Sequence, residues 1–233
     1  HSRHSISILL LNAICSVMES KVRVVVRVRP FLGTEEPTSR CTSIQGNSLE
    51  LSSTVQKTHY KFDSCYNQDS EQSQIFAEVS DSIGDVLSGI NTTIFAYGMT
   101  GAGKTHTMQG NADNPGIIPR VAQRLMDLIE KQSGNTYDIS VSYLEIYNEK
   151  VFDLLEPKAE DLHIRQDARH EIVIPGLSTQ KISSFSQFDR VYRSGCLNRT
   201  TAPTSLNKES SRSHAILCLY VQHKEGDKLI TGK

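Results

Sequence analysis

An α/β domain with a mainly parallel sheet is the fold class this sequence predicts, on three observations. Strand-like and helix-like segments interleave along the chain, the pattern of a sheet covered by helices on both faces, three layers deep. A β-branched run feeds a glycine-rich turn in "NTTIFAYGMTGAGKTHTM". The 233 residues carry 37% hydrophobic and 22% charged side chains, enough for one or two globular domains with a sizeable core.

The elements follow in chain order. "SISILLLNAICS" is similar to the apolar part of a signal peptide, but the run is short and lacks a small-x-small cleavage site. Residues 1–20 are therefore expected to form a disordered extension outside the fold, with Met18 a candidate natural start and the domain running over 21–233. "KVRVVVRVRP" reads as a strand with Arg23, Arg27 and Arg29 on one face, closed by Pro30. "THYKFDSCY" is a second strand. Ile75, Val79, Ile83, Val86, Leu87 and Ile90 recur at helical spacing behind a cap at Asp69 or Ser70. "TTIFAY" is a buried strand. Pro119 is placed to start a helix whose inner face is Val121, Leu125, Leu128 and Ile129. "TYDISVSYLEIYNEKVFDLL" supplies a long strand, and "DLHIRQDARHEIVIPGL" reads as a hairpin. Ser184 and Gln187 have capping-box spacing before a helix with Phe188, Val191 and Tyr192 inside. "AILCLYVQH" is a last strand.

Composition narrows the function classes. A net charge of −1 gives the whole chain no strong field toward nucleic acid or membrane. Five scattered cysteines contain no Cys-x-x-Cys pair, which argues against a zinc knuckle or a disulfide framework and for a reduced, intracellular setting. No apolar run approaches the roughly 18 residues of a membrane span.

Gly98, Gly103, Lys104 and Thr105 satisfy G-x-x-x-x-G-K-[ST], enclosing Met99, Thr100, Gly101 and Ala102. Glycines permit turns other residues resist and leave room for phosphate. Successive backbone N–H groups then face an anion. Lys104 is suited to the β and γ phosphates, and the Thr105 hydroxyl to Mg²⁺. A chance match in a chain of this length is on the order of one in a hundred. The preceding strand and following helical residues fit the motif's context. The bland alternative is a glycine-rich hairpin turn with an exposed lysine.

With these residues in place the sequence resembles a known family. "IFAYGMTGAGKTHTM" resembles the P-loop of kinesin motor domains, "SYLEIYNEKVFDLL" the strand and turn after the P-loop helix, "LNKESSRSHAIL" switch I, and "VRVRP" the first-strand motif that supports adenine. The resemblance covers roughly Lys21 to Lys233. "GIIPR", "DLHIRQD", "IVIPGLS" and "NRTTAPTSLN" look closest to the Kid-type chromokinesins.

The resemblance implies a P-loop NTPase fold, ATP and Mg²⁺ as cofactors, microtubules as track, and a cytoplasmic, cytoskeletal location that extends to the spindle. Chromatin binding through a tail outside this chain is implied for a chromokinesin. Arg27, Arg29 and Pro30 are similar to the adenine-side contacts, and His106 to the residue closing the other side of the base. Asn207, Ser210, Ser211 and Arg212 resemble switch I. There Ser211 would touch the γ-phosphate and Mg²⁺, Asn207 and Ser210 would hold the lytic water and the closed loop, and Arg212 would pair with a switch II glutamate. Without the resemblance, these arginines read as an exposed strand face, His106 as a solvated helix residue and "SSRSH" as a polar loop.

In kinesins a switch II segment follows the stretch corresponding to "DKLITGK", and the sequence contains no substitute for it. A truncated motor domain is therefore expected. Its phosphate-loop strand would lose a central neighbour, at about 1–3 kcal/mol per buried unpaired backbone group, so the chain is expected to be unstable. Two alternatives remain: a non-motor product with weak or no nucleotide turnover, and a P-loop transferase, for which no acceptor-substrate pocket is suggested.

Overall fold

The computed structural model describes residues 6–14, 22–31, 41–53, 55–132, 136–158, 160–168, 170–201 and 213–233, with 6–14 and 200–201 described in backbone only. Contacts divide the chain into two units, His1–Val86 with Ile90–Leu125, and Leu87–Gly89 with Met126–Lys233.

In the first unit, β1 (Ile6–Ile14) is followed by β2 (Arg23–Val28), whose Val25, Val26 and Val28 are buried. A small antiparallel sheet comes next, formed by β3 (Thr42–Gln45), β4 (Ser48–Ser52) and β5 (Lys57–Lys61). β6 (Ser64–Tyr66) is separate from β5, so "THYKFDSCY" supplies two strands and not one. The break falls at Asp63, whose carboxylate accepts the Val24 N–H at 2.8 Å and whose own N–H donates to the Val24 carbonyl at 3.1 Å. That clasp redirects the chain into a parallel pairing with β2.

The helical stripe from Ile75 to Leu87 is buried as expected, but its backbone is not one helix. α1 (Gln72–Ala77) ends and a 3-10 helix runs over Asp81–Ser88. The Ser80 and Ser82 hydroxyls donate to the Ala77 and Val79 carbonyls, the local side-chain competition that interrupts helices. The cap is Glu71, whose N–H donates to the Gln74 side chain at 2.8 Å. It sits one or two residues beyond the expected Asp69 or Ser70. β7 (Asn91–Gly98) then leads into the glycine-rich loop and α2 (Lys104–Met108). Val25, Ile75, Val79 and Ile117 form the apolar core of this unit, packed by Tyr66, Phe76, Ile94, Met108 and Val121.

The main sheet of the unit has the order β6-β2-β1-β7. β1 pairs antiparallel with six residues of β2 and with all eight residues of β7, from Ser7 opposite Gly98 to Ile14 opposite Asn91. The expectation that residues 1–20 stand outside the fold is therefore corrected for 6–14. "ISILLLNAI" is a near-continuous apolar run, the pattern of a strand with neighbours on both sides. It also gives the strand before the phosphate loop a partner along its whole length, where the sequence reading expected that strand to lose one. Among the described ladders only β2–β6 is parallel. β2 and β7 run the same way with β1 reversed between them, so the α/β class stands while the pairing is more antiparallel than a mainly parallel sheet.

α3 (Ile117–Glu130) begins two residues before Pro119, which is tolerated because first-turn N–H groups lack helical partners. Its buried stripe is Ile117, Ala122, Leu125 and Met126, with Leu128 and Ile129 only half-buried. In the second unit, β8 (Tyr137–Tyr147) and β9 (Lys150–Asp153) are a hairpin and not one long strand. The turn residues Asn148 and Glu149 both have positive φ, 49° and 61°, as a type I′ turn requires. β10 (Arg165–Gln166) and β11 (Ile172–Val173) form the expected short hairpin. β12 (Gln180–Ile182) edges the sheet β12-β8-β13-β14, completed by β13 (Ser213–Glu225) and β14 (Lys228–Gly232). α4 (Phe185–Thr201) is capped where expected. The Ser184 hydroxyl accepts the Gln187 N–H, while the Gln187 side chain reaches back to the Ser183 N–H. Phe188 and Tyr192 on α4 stack with centroids 5.6 Å apart, and Tyr192 meets Tyr143 of β8 at 5.9 Å.

Candidate nucleotide site

The glycine-rich loop departs from the C-terminal end of β7. Gly101 and Gly103 take φ of 80° and 91°, conformations costly for any residue with a Cβ, which is why glycine stands at both. Gly103 is the N-cap of α2, and its carbonyl accepts the Thr107 N–H at 2.9 Å. The Lys104 ammonium folds back over the loop and donates to the Gly98 and Met99 carbonyls at 2.8 and 2.9 Å. An amine held by two neutral carbonyls can exchange them for phosphate oxygens, which bind a cation more strongly. Ala102 is buried beneath the loop, and Met99, Thr100 and Thr105 are exposed.

The second side of the site is built from β2. Arg29, just past the strand, donates from Nε to the Gly101 carbonyl at 2.8 Å and from Nη1 to the Pro30 carbonyl at 2.7 Å. It thereby ties the end of β2 to the phosphate loop. Pro30 and His106 are exposed. Partial burial and then the charge of Arg27 hold the His106 imidazole below its ordinary pKa, so the ring is neutral at pH 7.

Arg27 differs from the exposed base contact suggested by sequence. It is 8% exposed, and its guanidinium donates to the Gln72 side-chain oxygen at 2.8 Å, the Thr107 hydroxyl at 3.1 Å and the Ser70 carbonyl at 3.2 Å. Desolvation lowers its pKa, and these three acceptors compensate the buried charge. Gln72 and Thr107 were missed by sequence reasoning. The signal for Gln72 was present, since 72, 75 and 79 share one helical face and a glutamine on an apolar stripe calls for a partner.

Asn207, Ser210, Ser211 and Arg212 lie outside the described residues. The elements flanking that segment are described. Arg199 near the end of α4 donates from Nε to the buried Glu145 carboxylate at 3.1 Å and from Nη2 to the Ser213 hydroxyl at 3.1 Å. Among the described residues there is no cluster of His, Cys, Asp or Glu that could hold a metal ion, and no helix is long and apolar enough to cross a membrane. None of the described cysteines, Cys41, Cys65, Cys196 and Cys218, is in a disulfide.

Comparison with known proteins bears on this geometry. Residues 27–232 match the kinesin motor domain. Kinesin-like protein KIF22 of Danio rerio is 43% identical over 213 residues, 87% of this chain and 34% of that protein. KIF22 of Rattus norvegicus is 44% identical over 88% of this chain and 33% of its own length. These are relatives of the Kid type that the loop sequences pointed to. This chain thus spans about a third of the length of the curated relatives it matches. A solved fast kinesin, described for its ATPase mechanism and interactions with microtubules, superposes with a TM-score of 0.80 at 30% identity, over 88% of this chain and 61% of its own. The fold is therefore that of an α/β P-loop NTPase, and the chain belongs to the kinesin motor-domain family.

Proposed function

We propose that this chain is the ATP-binding part of a microtubule motor, spanning residues 21–233 together with the added strand β1, and that it couples ATP hydrolysis to microtubule binding and movement. The observation that carries the reading is the phosphate loop itself. Two glycines hold left-handed turns, and among the described residues two loop carbonyls hold a lysine ammonium.

In this reading Lys104 draws the β and γ phosphates into the loop Gly98–Thr105 and neutralises charge as the γ-phosphoryl departs. The loop's backbone N–H groups orient the same oxygens. Arg29, Pro30 and His106 flank the adenine, with Arg27 behind them. Thr105, an exposed hydroxyl beside Lys104, is a hard oxygen donor. Mg²⁺ takes one or two protein oxygens with substrate phosphates and waters, so the donor set fits, with Ser211 as second ligand. When bound, the ion offsets negative charge on the phosphates. Asn207, Ser210 and Ser211 would position the attacking water, and Arg212 would hold the closed state. No side chain acts as a covalent nucleophile.

Microtubules are the proposed track, chromatin a proposed cargo through segments of the longer relatives, and the spindle the proposed location. The test is ATP binding by the chain, followed by phosphate release with and without microtubules. Lys104→Ala is expected to weaken ATP about a hundredfold, the loss of charge-assisted contacts. Binding without microtubule-stimulated release would instead favour a non-motor, nucleotide-binding product. Binding unaffected by Lys104→Ala would sink the assignment of the loop.

A further inference from the structure

We infer that Gln72 is a positioning residue for the nucleotide base: it locks the helix carrying His106 to β2, the strand that leads into Arg29 and Pro30. The inference rests on the nucleotide reading above and concerns a residue outside the loop and switch motifs.

Gln72 opens α1 and is 1% exposed. Its amide spends both ends on the site. The Oε1 accepts Arg27 Nη1 at 2.8 Å, and the Nε2 donates to the His106 carbonyl at 2.5 Å. Arg27 reaches the same turn a second time through the Thr107 hydroxyl, itself 2% exposed. Three elements, β2, α1 and α2, thus meet in one buried polar cluster whose bonds land on consecutive residues of α2. Next to it, Arg29 fixes the end of β2 to the loop at Gly101. The base-side groups are therefore set from beneath by a closed network. A buried amide with both ends engaged has no second arrangement of equal energy, because any rotation leaves a buried polar atom unsatisfied.

The chemistry presented at the surface suits a flat, uncharged ring. Partial desolvation and the nearby Arg27 charge hold the exposed His106 ring below its ordinary pKa, Pro30 offers an apolar face, and Arg29 a planar cation that stacks on aromatic rings. None of these groups touches phosphate in the proposed reading. Gln72 should therefore govern affinity for the base and leave affinity for the phosphates alone. A residue that merely stabilises the fold would lower both.

The experiment compares MgATP with magnesium tripolyphosphate, which has the phosphates and no base, by calorimetry on the full chain. Gln72→Leu removes both bonds. Gln72→Glu keeps the acceptor for Arg27 and loses the donor to the His106 carbonyl, so it retains the burial of the guanidinium. Both are expected to weaken MgATP about tenfold, the value of about one hydrogen bond, and to leave tripolyphosphate within about twofold. Equal weakening of both ligands, no weakening of either, or loss of cooperative melting in both variants would overturn the inference. If the unsubstituted chain binds ATP no better than tripolyphosphate, the base is not read and the inference fails while the loop assignment stands. If it binds neither, the nucleotide reading fails first.

Discussion

The two units of the chain brace their sheets by different means. In the first, β7 depends on β1, a partner more than eighty residues away in sequence, as Leu10 opposite Phe95 illustrates. Its site is then tied by buried polar groups, Arg27, Gln72 and Thr107. In the second, β8 pairs with β13 over eleven residues, from Tyr147 opposite Ser213 to Tyr137 opposite His223, and hairpins closed by the two-residue turns Asn148-Glu149 and Gly226-Asp227 flank that ladder. The stacked rings of Phe188, Tyr192 and Tyr143 fill the space between α4 and β8. Both units thus rest on one long-range ladder, but beside it the unit that carries the nucleotide loop has a buried polar cluster and the other an aromatic layer. β1 and β13 must each be captured across a long span, at a loop-closure cost that local hairpins avoid. Lost hydrogen bonds should accordingly dominate in the first unit and packing lesions in the second.

The largest effect is expected from Leu10→Pro. It deletes an N–H from a strand paired on both sides, opposite Val24 and Phe95. The loss is about 3 kcal/mol or more. Leu10→Val, which keeps the N–H, should cost much less in the same urea titration. Equal losses would mean that β1 contributes through its side chains, and no loss from either would show β1 to be dispensable.

Next comes Gly195→Ala in α4. A Cβ there would stand 2.5 Å from Tyr143 Cδ1 and 3.1 Å from its Cε1, and Tyr143 is 1% exposed with nowhere to yield. Overpacking of this kind costs about 2–3 kcal/mol. The affinity for ATP, read in the first unit, should not change. A variant that melts normally would show the aromatic layer to be looser than the second unit requires.

Arg199→Met should cost somewhat less, about 2 kcal/mol. It strands the Glu145 carboxylate, which is 4% exposed, but Arg199 is itself about a quarter exposed and so partly screened. Glu145→Gln, which leaves an acceptor for the guanidinium, should lose less in parallel melts. If Arg199→Met were neutral, the second unit would owe nothing to charge, and the contrast between the units would be sharper than drawn.

Much of this was legible in the sequence, and the misses share a physical cause. The phosphate loop, the strand before it, the start of α4 and the buried stripe Ile75–Leu87 are local signals, carried by glycine spacing, capping residues and periodicity. β1 was not legible, because an apolar run announces a strand but not its partners, and a run too short for a leader was read as an extension outside the fold. The β8–β9 turn was read as strand because Asn-Glu lacks the glycine that usually marks positive φ. The helix from 69 was broken by serine hydroxyls that periodicity does not weigh. For the site, Lys104 and the loop glycines stood out by type and spacing and Arg29 through the family resemblance, whereas alternation alone cannot tell a solvated arginine from one buried against Gln72, as Arg27 is. The switch residues Asn207, Ser210, Ser211 and Arg212 fall outside the described residues.

The smallest expected effect sharpens the polar side of the comparison. Burial, and then Arg27, depress the His106 pKa below the ordinary value of about 6.5. In the unfolded chain this histidine takes up its proton at the ordinary pH, so below that point the unfolded state binds more protons than the folded state. Stability from this group is therefore full above about pH 6.5 and falls as the pH drops below that value. Between pH 7 and 8 the ring is neutral in both states, and ATP affinity should be flat with respect to it. An NMR titration of the imidazole protons should give a midpoint below 6.5. Gln72→Glu, by placing a carboxylate against Arg27, should raise that midpoint, because the new negative charge offsets the guanidinium that disfavours the imidazolium. A midpoint unmoved by this substitution would mean that desolvation alone sets the His106 pKa, and that the buried network shapes the base side through geometry without charge.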